Sequence, residues 1–210
     1  MDVWAMIDAE RKDFAGLCDA LTADQWNAAS LCSAWRVRDV TSHVVEVATL
    51  SGLQLFARLP RYGFRLNAMI EHEAIKHGNA TSPEALCAEI RTLVGLRRAL
   101  PGVKPPGVLA GEMIHQQDIR RALHIDRSID PARVEIALLD VNGTSAKILP
   151  GKKRAAGLFL HAIDVDWQTG ESSSPEVAGT GEALLMAMAG RGTALADLTG
   201  TGVDTMRARM

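Results

Sequence analysis

The chain has few aromatic residues: among 210 residues there are one tyrosine and four phenylalanines. Strands favour aromatic and β-branched side chains, so this scarcity argues against a strand-rich core. Long apolar runs are also missing. No stretch approaches the roughly 20 apolar residues that a membrane-spanning helix needs, so no membrane association is expected.

The net charge is small, and cysteines are few. The formal net charge of -2 provides no basic surface, so nucleic acid is not expected as a partner. The cysteines, Cys18, Cys32 and Cys87, are odd in number and far apart, which argues against a disulfide framework and for a reducing compartment. The N-terminal segment alternates acids and bases and does not resemble a signal peptide, so we expect a cytoplasmic protein.

Alanine, leucine, arginine and methionine, which are plentiful, favour helices. Apolar residues at helical spacing, together with capping and stop signals, indicate a series of helices in the first two thirds of the chain. The predicted helices cover residues 3–21, 37–59, 62–76, 83–100, 108–123 and 130–141. Proline ends the second helix, at Pro60, and opens the fourth, at Pro83.

The pattern changes from Gly151 onward. Residues 157–167 are predicted to form a strand, and the following GESSSPEVAG has the composition of a turn. Residues 181–189 form a small apolar helix, and TALADL a shorter one. The sequence therefore predicts a helical domain over residues 1–125 and a small α+β region over residues 126–210.

Two predicted helices carry a histidine flanked by acids. In the second helix, His43 follows Asp39 by four residues and precedes Glu46 by three, so the three side chains share one face. In the fifth, Glu112, His115 and Asp118 follow at steps of three. An acid and a histidine spaced in this way are one means by which helix bundles direct metal ligands inward.

This pattern predicts a metal site formed by His43, Glu112 and His115. Two imidazoles and a carboxylate suit zinc best, with an open position for water or substrate. Asp39 and Asp118 would then accept hydrogen bonds from the imidazole N–H groups. The alternative stays open, because a histidine in a helix is more often a partly exposed polar residue than a ligand.

Other residues also have two interpretations. Cys32, just before a helix, could be an activated thiol, although a small buried apolar residue is the more common role. Arg191, after the apolar stretch ALLMAMAG, could bind a substrate anion, although a cation at a helix end is the simpler interpretation.

The segments LTADQWNAASLCSAWRVRDVTSHVVEV and GEMIHQQDIRRAL resemble the opening and the metal-binding helix of the mycothiol-dependent maleylpyruvate isomerase family. GLFLHAIDVDWQTG and EVAGTGEALLMAMAGR resemble its C-terminal region. The resemblance extends, in order, over nearly the whole chain. It implies a mainly α fold: a DinB-like, up-down four-helix bundle that holds one divalent metal, usually zinc, followed by a small α+β region.

The resemblance also assigns residues. The family's two histidine ligands match His43 and His115. Its glutamate ligand, four residues before the second histidine, corresponds to Gly111, and the nearest glutamate is Glu112. A C-terminal arginine that lies near the metal in isomerase-type members matches Arg191.

The resemblance implies a metal-dependent isomerase or S-transferase that uses mycothiol on a small electrophilic substrate, as a monomer or homodimer. In that chemistry the metal-bound thiolate adds to the electrophile and an arginine holds a substrate carboxylate. The departure at Gly111 favours an alternative, a non-catalytic metal- or small-molecule-binding protein with a degenerate site. A weaker third hypothesis is a hydrolase that uses metal-bound water, with Glu46 or Asp118 as the base.

Overall fold

The computed structural model describes residues 2–143 and 151–210 of the chain. The fold is mainly helical with one small sheet, as the sequence predicts. The chain forms two compact units: Met1–Val108 with His115–Asp126, and Leu109–Ile114 with Arg127–Met210. The predicted end of the helical domain at residue 125 stays a prediction.

The first unit is built from helices. They are α1 (Val3–Ala20), α2 (Ala23–Asn27), α3 (Val37–Thr49), α4 (Gly52–Arg58), a 3-10 helix (Leu59–Tyr62), α5 (Leu66–Ala80), α6 (Pro83–Thr92) and part of α7 (Pro105–Ala122). Side chains fix several starts. Asp2 accepts from the backbone N–H of Trp4 at 2.9 Å, and Ser82 caps α6 just before Pro83.

An apolar core joins α1, α3, α6 and the end of α7. Its buried members are Phe14, Ala15, Leu17, Cys18, Trp26, Val37, Val40, Val44, Val45, Ala48, Leu86, Cys87, Ile90, Leu93 and Ile119. Burying one large apolar side chain contributes about 1.5–3 kcal/mol, so this core holds the helices that carry the histidines.

The structure divides the helix predicted over residues 37–59. Helix α3 ends at Thr49, and Ser51 begins a new helix by accepting from the backbone N–H of Gln54 at 3.2 Å. The Ser51 N–H donates to the side-chain oxygen of Gln54 at 2.9 Å, which completes a capping box. Apolar spacing alone predicts one continuous helix here, whereas the capping box at Ser51 starts α4 as a separate helix after α3.

Two further helix boundaries differ from the prediction. The helix predicted over residues 62–76 runs from Leu66 to Ala80, because Gly63 and Phe64 take left-handed conformations before it. The helix predicted to reach residue 100 ends at Thr92. Beyond it, the buried guanidinium of Arg11 donates to Leu93 O at 2.6 Å and Leu96 O at 2.8 Å, and so satisfies carbonyls that have left the helix.

The second unit contains helices around a small sheet. Its elements are α8 (Pro131–Asn142), α9 (Gly151–Ala155), β1 (Phe159–Ala162), β2 (Gln168–Thr169), β3 (Glu176–Gly179), α10 (Gly181–Met188), a 3-10 helix (Gly192–Asp197) and α11 (Val203–Arg207). The strand order is β2-β1-β3, with β1 antiparallel to β2 and parallel to β3.

The sheet corrects two predictions. The strand predicted over residues 157–167 is shorter, because β1 covers Phe159–Ala162. The last residues of GESSSPEVAG, predicted as a turn, form β3 and pair with β1, with Leu160 opposite Val177. Val177 is buried, so this short strand contributes to the core of the second unit. Among the described helices, none is both long and apolar enough to cross a membrane.

Candidate functional site

Helices α3 and α7 bring two predicted site residues together. The rings of His43 and His115 meet edge to face, with centroids 4.6 Å apart. Trp35, in the loop before α3, lies beside both, with centroid distances of 4.7 Å to His43 and 6.2 Å to His115. Both imidazoles therefore lie beside the indole ring of Trp35, and each histidine is only partly exposed.

Asp118 lies one turn after His115 on α7 and is fully buried. Its Oδ2 is 3.1 Å from His115 Nδ1 and accepts from the Cys32 S–H at 3.0 Å. The Cys32 sulfur is itself 4.0 Å from His115 Nδ1. One carboxylate oxygen thus meets both an imidazole and a thiol.

Backbone hydrogen bonds hold the loop that carries Cys32. Leu31 N–H donates to the backbone oxygen of Asp118 at 3.0 Å, which joins the loop to α7. Trp35 N–H donates to Cys32 O at 2.8 Å, and Ser30 Oγ accepts from Cys32 N–H at 3.1 Å. The thiol therefore has a fixed position before any ligand arrives.

The donor atoms of Cys32, His115 and Asp118 all lie within 4.8 Å of one another. Sulfur, imidazole nitrogen and carboxylate oxygen are the donors that zinc takes in proteins. The chemistry of this set therefore fits a divalent transition metal. Sequence reasoning included His115 and Asp118 but left Cys32 out of the site, because no helical spacing connects a loop thiol to a distant helix.

The other cysteines show how different Cys32 is. Cys18 and Cys87 are buried in the apolar core, and desolvation is the main cause that raises the pKa of each thiol. Both are reduced thiols, as is Cys32. Only partial burial and a polar neighbourhood make a thiol available for chemistry, and Cys32 has both.

The remaining predicted site residues have these positions. Both carboxylate oxygens of Asp39 accept hydrogen bonds from the Arg36 side chain at 2.9 Å. The predicted hydrogen bond from the His43 imidazole to Asp39 stays a prediction. Glu112 is 7% exposed on α7. A Cβ on Gly111 would meet nothing within 4 Å among the described residues, so a side chain fits there. Glu112 as a metal ligand stays a prediction.

Arg191 lies in the second unit, where its guanidinium donates to Ala189 O at 2.9 Å. Arg154 is nearby, and the pKa of Arg154 is lowered first by burial and then by the charge of Arg191. The two guanidinium groups repel each other, and an anion would relieve that repulsion. The predicted contact of Arg191 with a substrate carboxylate stays a prediction.

A small cavity in the first unit adjoins His43. Val47, Leu50, Met69 and Ile70 form its apolar walls. Arg58 lies at its polar side and pairs with Glu46 at 3.0 Å and Glu73 at 3.7 Å. The Tyr62 hydroxyl donates to Glu73 at 2.5 Å, and this hydrogen bond is the main cause that lowers the pKa of Glu73.

Residues 7–120 match the family described as the mycothiol maleylpyruvate isomerase N-terminal domain. A crystal structure of a histidine-to-alanine mutant of mycothiol-dependent maleylpyruvate isomerase has a similar fold, with a TM-score of 0.55. The two chains are 13% identical, and the match covers 95% of this chain and 91% of the other. No curated protein matches the sequence.

Proposed function

We propose a function for this chain from the premise that it belongs to the mycothiol maleylpyruvate isomerase family, whose N-terminal domain it matches over residues 7–120. The proposal is a divalent-metal-dependent enzyme that uses mycothiol as co-substrate. Its reaction would be the isomerisation of a small electrophilic substrate or the transfer of the thiol to it. A cytoplasmic location is part of the same proposal.

The observation that carries this proposal is the juxtaposition of His43 and His115, from different helices, with ring centroids 4.6 Å apart. Cys32 and Asp118 add sulfur and oxygen donors on one side of His115. Nitrogen, sulfur and oxygen donors of this kind suit zinc better than magnesium or calcium. The residues present therefore fit the metal that the family resemblance implies.

The ligands predicted from the sequence are His43, Glu112 and His115. Asp118 is predicted to support His115, and its 3.1 Å contact with Nδ1 is the geometry such a residue needs. A divalent metal, when bound, lowers the pKa of a coordinated thiol so that it is a thiolate at neutral pH. The protein's own task is to hold the imidazoles in place and to limit the access of water to them.

The rest of the reaction follows from thiol chemistry. Addition of the thiol sulfur to an unsaturated carbon converts a double bond to a single bond. Rotation about that bond and elimination of the thiol release an isomer, whereas an S-transferase retains the adduct. Arg191 is the residue predicted to bind a substrate carboxylate.

A second candidate is a non-catalytic metal- or small-molecule-binding protein. Gly111 supports it, because no carboxylate stands four residues before His115. This protein would bind a metal or a small molecule and show no thiol-dependent turnover.

The test is a turnover assay of purified, tag-free, zinc-loaded protein. Maleylpyruvate and a panel of small unsaturated acids and epoxides are each supplied with and without mycothiol, and products are followed by NMR. We expect thiol-dependent isomerisation or thioether formation that falls at least about 100-fold in His115→Ala. His72→Ala, at an exposed histidine of α5, is the matched control and keeps full activity. Zinc binding without turnover on any substrate favours the binding-protein candidate.

A further inference from the structure

Cys32 is placed at the site by the fold but absent from the predicted ligand set. We propose that Cys32, His115 and Asp118 are themselves the metal ligands of this protein, with Cys32 bound as thiolate and Asp118 bound directly rather than through the imidazole. The inference deepens the proposed function, since it rests on the presence of a metal there and names the residues that hold it.

The distances among the donor atoms support this assignment. A tetrahedral zinc ion with bonds of about 2.0–2.3 Å keeps its donor atoms roughly 3.3–3.7 Å apart. Asp118 Oδ2 is 3.0 Å from Cys32 Sγ and 3.1 Å from His115 Nδ1, and the sulfur is 4.0 Å from that nitrogen. These three distances bracket the tetrahedral range, so small side-chain movements suffice to receive an ion.

Charge balance favours the same group. Asp118 is fully buried, and a buried carboxylate is costly unless hydrogen-bond donors or a cation compensate it. One thiolate and one carboxylate neutralise a divalent cation, and a neutral imidazole completes the set without adding charge. The buried centre would then carry no net charge from its ligands and ion.

Metal binding changes the protonation of Cys32 and the tautomer of His115. The Cys32 S–H, which donates to Asp118 without the ion, loses its proton to solvent as the sulfur–metal bond forms. If His115 carries its proton on Nδ1, that proton leaves this nitrogen and Nε2 takes one up, so the ring stays neutral. Binding therefore releases about one proton per ion from the thiol.

The assignment shares only His115 with the ligand set predicted from the sequence, and it uses the other ring nitrogen of that residue. If Asp118 only supports His115, Nδ1 keeps its proton, the ion binds Nε2, and Cys32 remains a thiol. In the arrangement proposed here the ion binds Nδ1 and the sulfur. The hydrogen bonds that fix Leu31 and Cys32 in the loop favour it, because they hold the sulfur close to His115 without an ion.

The experiment is cobalt titration of the reduced, tag-free protein in buffer without added thiol. A thiolate–cobalt bond gives an intense near-ultraviolet charge-transfer band that nitrogen and oxygen ligands do not give. We expect this band at about one cobalt per chain, with release of about one proton per ion. Cys32→Ser, which keeps a hydroxyl donor for Asp118, is expected to abolish the band and weaken cobalt binding at least about 100-fold.

Control variants separate the two arrangements. Cys87→Ala removes a core thiol and is expected to keep the band, and circular dichroism checks the fold of every variant. His43→Ala is expected to keep the band as well, because His43 is outside the proposed set. Cobalt binding without the band, unchanged in Cys32→Ser, would overturn the proposal, and so would a protein that binds no cobalt.

The cobalt titration tests the ligand assignment, and the turnover assay tests the proposed function independently. A thiolate band in a protein with no thiol-dependent turnover supports the ligand assignment and removes the enzymatic function. Turnover in a protein whose cobalt form lacks the band keeps the function and removes the ligand assignment.

Discussion

The imidazoles of His43 and His115 meet edge to face, with ring centroids 4.6 Å apart and ring planes inclined by 79°. They come from α3 and α7, and both helices contribute to one apolar core, α3 with Val40 and Val44 and α7 with Ile119. The two rings are therefore in contact without help from a ligand.

The first prediction concerns the effect of zinc on stability. A ligand that binds only the folded state stabilises it, by about 2.7 kcal/mol at 100 times the dissociation constant. We expect zinc to raise the free energy of unfolding by that amount in the native chain and to have no effect in His115→Ala. Urea unfolding with and without zinc measures both, and His72→Ala should respond like the native protein. Equal stabilisation of His115→Ala would exclude His115 as a ligand.

The second prediction concerns the hydrogen bond from Tyr62 to Glu73 beside the cavity. The bond lowers the pKa of Glu73 below its ordinary 4.5 and raises the pKa of Tyr62 above its ordinary 10.0. The lowered carboxyl pKa stabilises the fold above pH 4.5 and loses its effect as pH falls through the folded value. The raised phenol pKa stabilises it below pH 10.0 and loses its effect as pH rises through the folded value.

Tyr62→Phe should therefore reduce the free energy of unfolding by about 0.5–1 kcal/mol near pH 7, after allowance for partial exposure. The difference from the native chain should shrink in acid and in strong base. Chemical unfolding over a pH series measures it. In a Glu73→Gln background the same substitution should give no pH-dependent difference, and a difference that persists there would assign the effect to another group.

The third prediction concerns Arg11, which is 1% exposed and donates to Leu93 O and Leu96 O. Arg11→Met should reduce the free energy of unfolding by about 3 kcal/mol, because two carbonyls lose a charged donor. Lys12→Met, at the exposed neighbouring residue, is the matched control and should change it by less than about 0.5 kcal/mol. Similar urea midpoints for the two variants would contradict this role for Arg11.

The sequence predicts the helical class and most helix starts, because caps such as Ser82 before Pro83 act locally. It does not predict the end of α6 at Thr92, because the guanidinium that satisfies the carbonyls beyond it belongs to α1, far away in sequence. Strand β3 was missed for the same reason: EVAG becomes a strand only by pairing with β1.

For the site, spacing along single helices identified His43, His115 and Asp118. The structure brings the two histidines together and places Asp118 against His115. Cys32 could not be found in this way, since its contact with Asp118 joins a loop to a distant helix and leaves no periodic signal. A loop cysteine close to a tryptophan and a helix start is the only sequence cue, and composition alone does not distinguish it from the core thiols.

The last prediction tests the small sheet of the second unit. Gly170 has a left-handed φ of +93°, and a Cβ there would lie 2.0 Å from Leu158 O, on the backbone just before β1. Gly170→Ala therefore forces a strained conformation and a backbone clash together, and should reduce the free energy of unfolding by about 2–3 kcal/mol. Gly192→Ala is the matched control, because among the described residues its Cβ would meet only Met210, at 4.0 Å. If both alanine variants unfold at the same urea concentration, the close approach of Gly170 to β1 does not limit the stability of this unit.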